Sequence, residues 1–272
     1  MHGRDLQSER RPFYFGSRRR PLFGCFHPSQ SQSAKSSGVL LCAPFGQEYI
    51  RTHRACLQLA VRLSKVGFPV LRFDYYGCGD SGGAFDEGLP TNWVADIATA
   101  TDELRRQSHL ETVSLAGLRL GASLAATAAS TRTDIDSLVL WDPIASGSAY
   151  VEELEAMHRE MVAHSYVDVQ NPLPGERLTE VLGFPYSETL RDDLARIDLL
   201  KLKSKLANRV LVVESDPAGN TETLRGHLSA IGVQIEHQQV PGDAIWLEEP
   251  YKGLVPHKLL QAVVSWVVRG NS

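Results

Sequence analysis

Five short apolar runs constrain this chain more than any other feature: VLLCA (39–43), VLRFD (70–74), TVSLA (112–116), LVLWD (138–142) and VLVVE (210–214). They are nearly continuous and rich in β-branched residues. A strand with one wet face alternates apolar and polar residues, whereas an unbroken apolar run marks a strand buried on both faces, as in a parallel sheet. Helical patterns lie between most of these runs. Over 52–65, Cys56, Leu57, Ala60 and Leu63 share one face, and over 91–106 Trp93, Ile97, Ala100 and Leu104 do the same. Thr91 or Asn92 is placed to cap the second of these helices. ASLAATAAS (122–130) reads as a helix of small side chains that can lie close to a sheet. The alternation predicts an α/β fold with a mostly parallel central sheet and helices on both faces.

The flanks differ. FYFG (13–16) and LFGCFH (22–27) read as an antiparallel hairpin. From 148 to 203 there is no strand signal. Tyr150, Leu154, Met157 and Met161 form one helical stripe, and SETLRDDLARIDLLKL forms a second amphipathic helix. The expectation is a single domain over 1–272 that carries a helical cap at 148–203, above the carboxyl edge of the sheet. The sheet resumes with 210–214 and VQIEHQQV (233–240), and a helix over 257–268 closes the chain.

The formal net charge is −4, which gives no support for a nucleic-acid or membrane-surface partner. Arg10-Arg11 and Arg18-Arg19-Arg20 read as solvated surface. The four cysteines, Cys25, Cys42, Cys56 and Cys78, form no Cys-x-x-Cys pair, and no histidine pair has zinc-ligand spacing. A cytoplasmic protein without metal or cofactor is expected, and its oligomeric state stays open.

SLAGLRLGASLA (114–125) reads as strand, tight Gly-x-x-x-Gly turn and helix. APFGQEY (43–49) follows the first parallel run, and FDYYGCGDSGG (73–83) follows the second. Together these three stretches resemble the α/β-hydrolase superfamily, over nearly the whole chain. GLRLGA with LWDPIASG is similar, more narrowly, to hydrolase-like proteins associated with exosortase systems and with polyketide and peptide synthases. The resemblance implies an α/β-hydrolase fold, an oxyanion loop at Phe45, Gly46 and Gln47, and a nucleophile elbow centred on residue 119. It also implies a serine–acid–histidine triad. At those positions stand Arg119, Asp216 and Ala244, so one member of three is retained.

Replacements for the lost groups are few. Ser123 lies one helical turn past the elbow, Ser81 sits in a turn, and Cys78 is a thiol in a glycine-rich turn without an evident base. His257 is placed to approach from the last loop, and His53 follows the FGQEY loop. His158, His164, His227 and His237 have no motif around them. Tyr49, Tyr75 and Tyr76 are candidate proton donors, and Leu118 and Asp142 candidate ligand contacts.

A guanidinium stays protonated at neutral pH and cannot act as base or nucleophile. It can hold a carboxylate or a developing enolate. Arg119 is therefore expected to pair with Asp216 or Asp142. Two functions fit the sequence. One is an enzyme of non-serine chemistry that cyclises or releases an acyl or polyketide-type thioester, free or carrier-bound, with Arg119 stabilising charge. The other is a non-catalytic pseudohydrolase that binds an acyl ligand or a partner protein.

Overall fold

The computed structural model describes residues 10–31, 33, 35–164, 178–215, 221–242, 244–247, 252 and 254–270. The N-terminal hairpin is β1 (Arg11–Ser17) and β2 (Arg20–His27). The apolar runs become β3 (Ser37–Cys42), β4 (Val70–Phe73), β5 (Thr112–Leu118), β6 (Ile135–Trp141) and β9 (Arg209–Glu214), followed by β10 (Ile235–Gln239). Together with the hairpin they form one eight-stranded sheet in the order β1-β2-β4-β3-β5-β6-β9-β10. From β4 to β10 every pairing is parallel, while β1 with β2 and β2 with β4 are antiparallel.

Alternate residues of each strand feed opposite faces, so the sheet supports two apolar layers. Val39 and Leu41 of β3 pack beneath α1 (Gly46–Lys65) and α7 (His257–Arg269). Leu40 and Cys42 point the other way, toward α2 (Pro90–Ser108) and α3 (Leu120–Ala129). On α2, Trp93, Ile97, Ala100 and Leu104 face inward, as their spacing requires. Helix α1 begins at Gly46, six residues before the periodic stretch, so the FGQEY segment forms its first turn. Helix α6 (Glu222–Ala230) lies between β9 and β10.

The segment over 148–203 is not purely helical. Its described part holds α4 (Gly147–Ala163), α5 (Glu188–Ala195) and a small hairpin, β7 (Glu180–Val181) with β8 (Phe184–Pro185). Leu182 and Gly183 make the hairpin turn, both with positive φ (50° and 86°). Strands of two residues have no periodicity to read, which is why the sequence showed none. The buried Leu182 donates its N–H to His158 Nδ1 at 3.1 Å, which ties the turn to α4. The apolar side chains of this segment, among them Tyr150, Leu154, Tyr186 and Leu190, join the same cluster as α2 and α3.

The cap of α2 also differs from expectation. Neither Thr91 nor Asn92 is the N-cap, because the helix starts at Pro90. The buried carboxylate of Asp193, on α5, accepts from Thr91 N and Thr91 Oγ1, each at 2.8 Å. An anion from the cap segment thus satisfies the orphan donors of a helix start. Asp193→Ala is expected to lower the unfolding free energy by about 1–2 kcal/mol. Urea unfolding measures it; an unchanged midpoint would mean that the contact does not hold the cap segment to α2.

Candidate functional site

The turn between β5 and α3 is built as its glycines suggest. Arg119 sits at φ 53°, ψ −124°, a conformation that costs a non-glycine residue energy and exposes it at the strand end. Its N–H donates to Trp141 O on β6 at 2.9 Å, which fixes the turn to the sheet. The neighbours must be small. A Cβ on Gly117 would stand 2.5 Å from Ala122 N, and one on Gly121 would stand 2.3 Å from both Cys42 O and Ala43 O.

The guanidinium on this turn is buried and held by two of the chain's own carboxylates. Arg119 Nε donates to Glu48 Oε1 at 2.9 Å, and Nη2 donates to Glu153 Oε1 at 2.6 Å. Glu48 lies in the first turn of α1 and is only 3% exposed, while Glu153 on α4 is partly open to solvent. Tyr150, one turn before Glu153, donates its hydroxyl to Glu48 Oε2 at 3.0 Å. The rings of Trp246 and Tyr150 stand 5.1 Å and 5.6 Å from the guanidinium carbon. Burial raises the Glu48 pKa from its ordinary value, against the pull of Arg119 and the Tyr150 hydroxyl. The Arg119 guanidinium keeps its proton: despite burial, the two carboxylates push its pKa further up.

These partners correct the expected ones. Arg119 pairs with Glu48 and Glu153, not with Asp142. The Asp142 carboxylate accepts from Ser215 N at 3.0 Å and from Ser215 Oγ at 2.5 Å, and so braces the end of β6 against β9. Asp216 lies outside the described residues. Ala244 is followed two residues later by Trp246, whose ring takes up room beside the elbow.

The other candidates separate into two groups. Phe45, Gly46, Tyr49, Tyr75 and Cys78 come together with Phe85 and Phe184 around one aromatic cavity. The rings of Phe45, Phe85 and Phe184 form a triangle, with centroids 5.4 to 6.4 Å apart. Gly46, at φ +57°, holds a backbone conformation that a side chain would strain, and the Phe184 ring of β8 lies over it. Half-buried Gln47 stands next to this wall on α1. Tyr75 donates its hydroxyl to Ala43 O at 3.2 Å, and Tyr49 donates its own to Asp74 Oδ1 at 2.8 Å. Burial raises both phenol pKa values, so neither is a ready acid. Burial, with Asp74 and Asp96 nearby, pushes the Cys78 thiol up to about 12, which leaves little thiolate.

The second group lies elsewhere. Leu118 is buried on the opposite face of the sheet, with Leu41, Val139 and Trp141, in the core under α1 and α7. His257 bonds through Nδ1 to Arg62, and its carbonyl accepts from Arg62 Nη1. That contact places it against the far part of α1, about four turns from Glu48, not at the elbow. Tyr76 stacks under Arg20 beside the N-terminal hairpin. Ser123 is fully buried and donates to Ile144 O at 2.7 Å. Ser81 donates to Asp74 O at 2.6 Å and accepts from Phe23 N at 2.8 Å, as a brace of its turn. His53 is exposed on α1, with its ring 5.9 Å from that of Tyr49.

Sequence reasoning missed Glu48, Glu153, Tyr150 and Trp246 as a set. Faint signals existed: Glu48 stands inside FGQEY, and Glu153 follows Tyr150 at i+3. Nothing in either marks burial beside a guanidinium. Among the described residues, no group of three His, Cys, Asp or Glu side chains is placed to hold a metal ion. No helix among them is long and apolar enough to cross a membrane.

The model of the serine aminopeptidase S33 family matches residues 37–189, more than half of the chain. No curated protein matches by sequence. Solved structures share the architecture. Est1E from Butyrivibrio proteoclasticus with ferulic acid bound is 17% identical with a TM-score of 0.69, over 95% of this chain and 98% of that one. An alpha-beta serine hydrolase homologue from Coxiella burnetii is 15% identical with a TM-score of 0.60, over 99% and 100%. The fold is the α/β-hydrolase fold.

Proposed function

We propose that this chain, which belongs to the serine aminopeptidase S33 family, is a non-catalytic, ligand-binding member of it, which holds a small acyl or aromatic acid against Phe45, Phe85 and Phe184. The observation that carries this reading is the elbow residue itself: a guanidinium engaged by Glu48 and Glu153. It cannot attack an acyl carbon or take up a proton. One positive charge beside two carboxylates leaves no surplus to stabilise an enolate or an oxyanion, which argues against the charge-stabilising enzyme. Ser123 and Ser81 already donate their hydroxyls to backbone carbonyls. The aromatic cavity beside the oxyanion-type loop offers contact area without a reacting group. The ferulic acid bound in Est1E is an aromatic acid held by the same fold.

Two measurements test the reading. A serine-directed phosphonate probe should leave the protein unlabelled by mass spectrometry. Ferulate or octanoate should raise the melting temperature of the parent protein but not of Phe184→Ala, because a ligand that binds only the folded state stabilises it by about 2.7 kcal/mol at a hundredfold over Kd. Labelling of Ser123 or Ser81 would overturn the proposal. Turnover of an acyl thioester that disappears in Arg119→Lys would also overturn it, in favour of non-serine acyl or polyketide chemistry at Arg119.

A further inference from the structure

On the α1 side of the sheet, where β2 and β4 emerge from under the helix, lies a second cavity. It is lined by Phe23 and Cys25 of β2, Arg72 of β4, Asp74, and Tyr49, His53 and Cys56 of α1, among others. It backs onto the aromatic cavity: both include Ala43, Tyr49, Phe73 and Asp74, so the Tyr49–Asp74 hydrogen bond stands in the shared wall. We propose that this second cavity is a binding site for a small organic carboxylate, with Arg72 as its anion-holding residue.

The argument starts from the state of Arg72. Arg119, Arg132 and Arg105 each hold at least one carboxylate, whereas half-buried Arg62 and Arg209 are held by His257 and by Trp266. Arg72 is half-buried, yet among the described residues no carboxylate stands within ion-pair distance of it. Its Nε donates to His27 Nε2 at 3.3 Å. His27 is completely buried, and burial together with Arg72 lowers its pKa to about 4, so at neutral pH it is an uncharged acceptor that orients the guanidinium without neutralising it. Both terminal nitrogens of the fork remain for a ligand, and a planar fork matches a carboxylate. A partly desolvated charge without a counter-ion is unfavourable, and an anion from solution relieves that cost.

The walls choose among anions. Phe23, Leu41 and Phe73 are apolar, Cys25 and Cys56 add sulfur atoms, and burial pushes the Cys56 pKa up to about 11. Asp74 accepts from Tyr49 Oη and from Asp80 N at 3.0 Å, so it is satisfied internally, but it and Asp80 still oppose a second negative charge. A monoanion with a short apolar body fits this lining, and a hydrated phosphate dianion does not.

The test uses the full chain at low ionic strength. Propionate, benzoate and inorganic phosphate are titrated to about 10 mM, the range where one charge-assisted contact plus a small apolar body binds. Binding is followed by calorimetry and melting temperature. Propionate or benzoate should bind the parent and should bind Arg72→Lys about tenfold more weakly. Arg72→Gln should lose the part of the response that belongs to this cavity. Propionate and benzoate also suit the proposed acyl site, so Phe184→Ala is used to remove that contribution: it should keep a response that Phe184→Ala combined with Arg72→Gln loses, which separates the two sites. The proposal fails if no carboxylate binds, if only phosphate binds, if Arg72→Gln binds like the parent, or if Phe184→Ala responds no more than Phe184→Ala combined with Arg72→Gln.

Discussion

Replacing Arg119 with alanine is expected to lower the unfolding free energy by about 3–5 kcal/mol, because it strands a buried carboxylate. Glu48, 3% exposed, would keep only the Tyr150 hydroxyl as a side-chain partner. The corresponding drop in melting temperature is on the order of 10 °C. Arg119→Lys keeps a charge but lacks the fork that reaches both Glu48 and Glu153, so an intermediate loss is expected. Glu153→Gln should cost less than about 1 kcal/mol, because that side chain is partly solvated. Arg119→Met combined with Glu48→Gln should recover much of the loss, since neither charge is then buried alone. The effect has a pH sign. Burial already raises the Glu48 pKa, and removal of Arg119 deletes the main opposing influence. An acid whose folded pKa is raised loses stability as pH climbs from its unfolded value through the folded one. The alanine variant should therefore be worse at neutral pH than near pH 4.5. A variant as stable as the parent at neutral pH would show that the elbow cluster does not hold the fold together.

Gly121→Ala is expected to be at least as severe, beyond about 4 kcal/mol, with little folded protein recovered. The added Cβ would meet Cys42 O and Ala43 O at 2.3 Å, and both are backbone atoms at the end of β3. Neither can rotate away, and moving them would break the pairing of Cys42 with Gly117 across β3 and β5. Gly226 is the control. It lies within α6 and has no atom within 4 Å of the added methyl, so Gly226→Ala should stabilise by about 0.5–1 kcal/mol through lower backbone entropy in the unfolded chain. Circular dichroism melts of the two variants beside the parent decide it. A Gly121→Ala protein that melts with the parent would mean that the elbow does not need its close approach to β3.

The chain's order of elements was legible before any coordinates. The five apolar runs fall on β3, β4, β5, β6 and β9 because burial on both faces leaves a mark in consecutive residues. The β7–β8 hairpin left no such mark, since two-residue strands carry no pattern. The elbow was legible too, because its close approach excludes Cβ atoms at Gly117 and Gly121, and that exclusion is local. What the sequence placed wrongly were contacts. Asp142 was the natural partner for Arg119 by strand-end position, yet the sheet turns it to Ser215. Glu48 reaches Arg119 from 71 residues away because α1 starts at Gly46, and Glu153 reaches it from 34 away because α4 stands over the sheet. Leu118 follows strand alternation to the α1 and α7 face, and His257 follows its helix to Arg62. Local sterics and periodicity are written in neighbouring residues, so the sequence determined the sheet and the turn. The partner of a buried charge is set by which distant elements pack over it, and only the tertiary structure decided that.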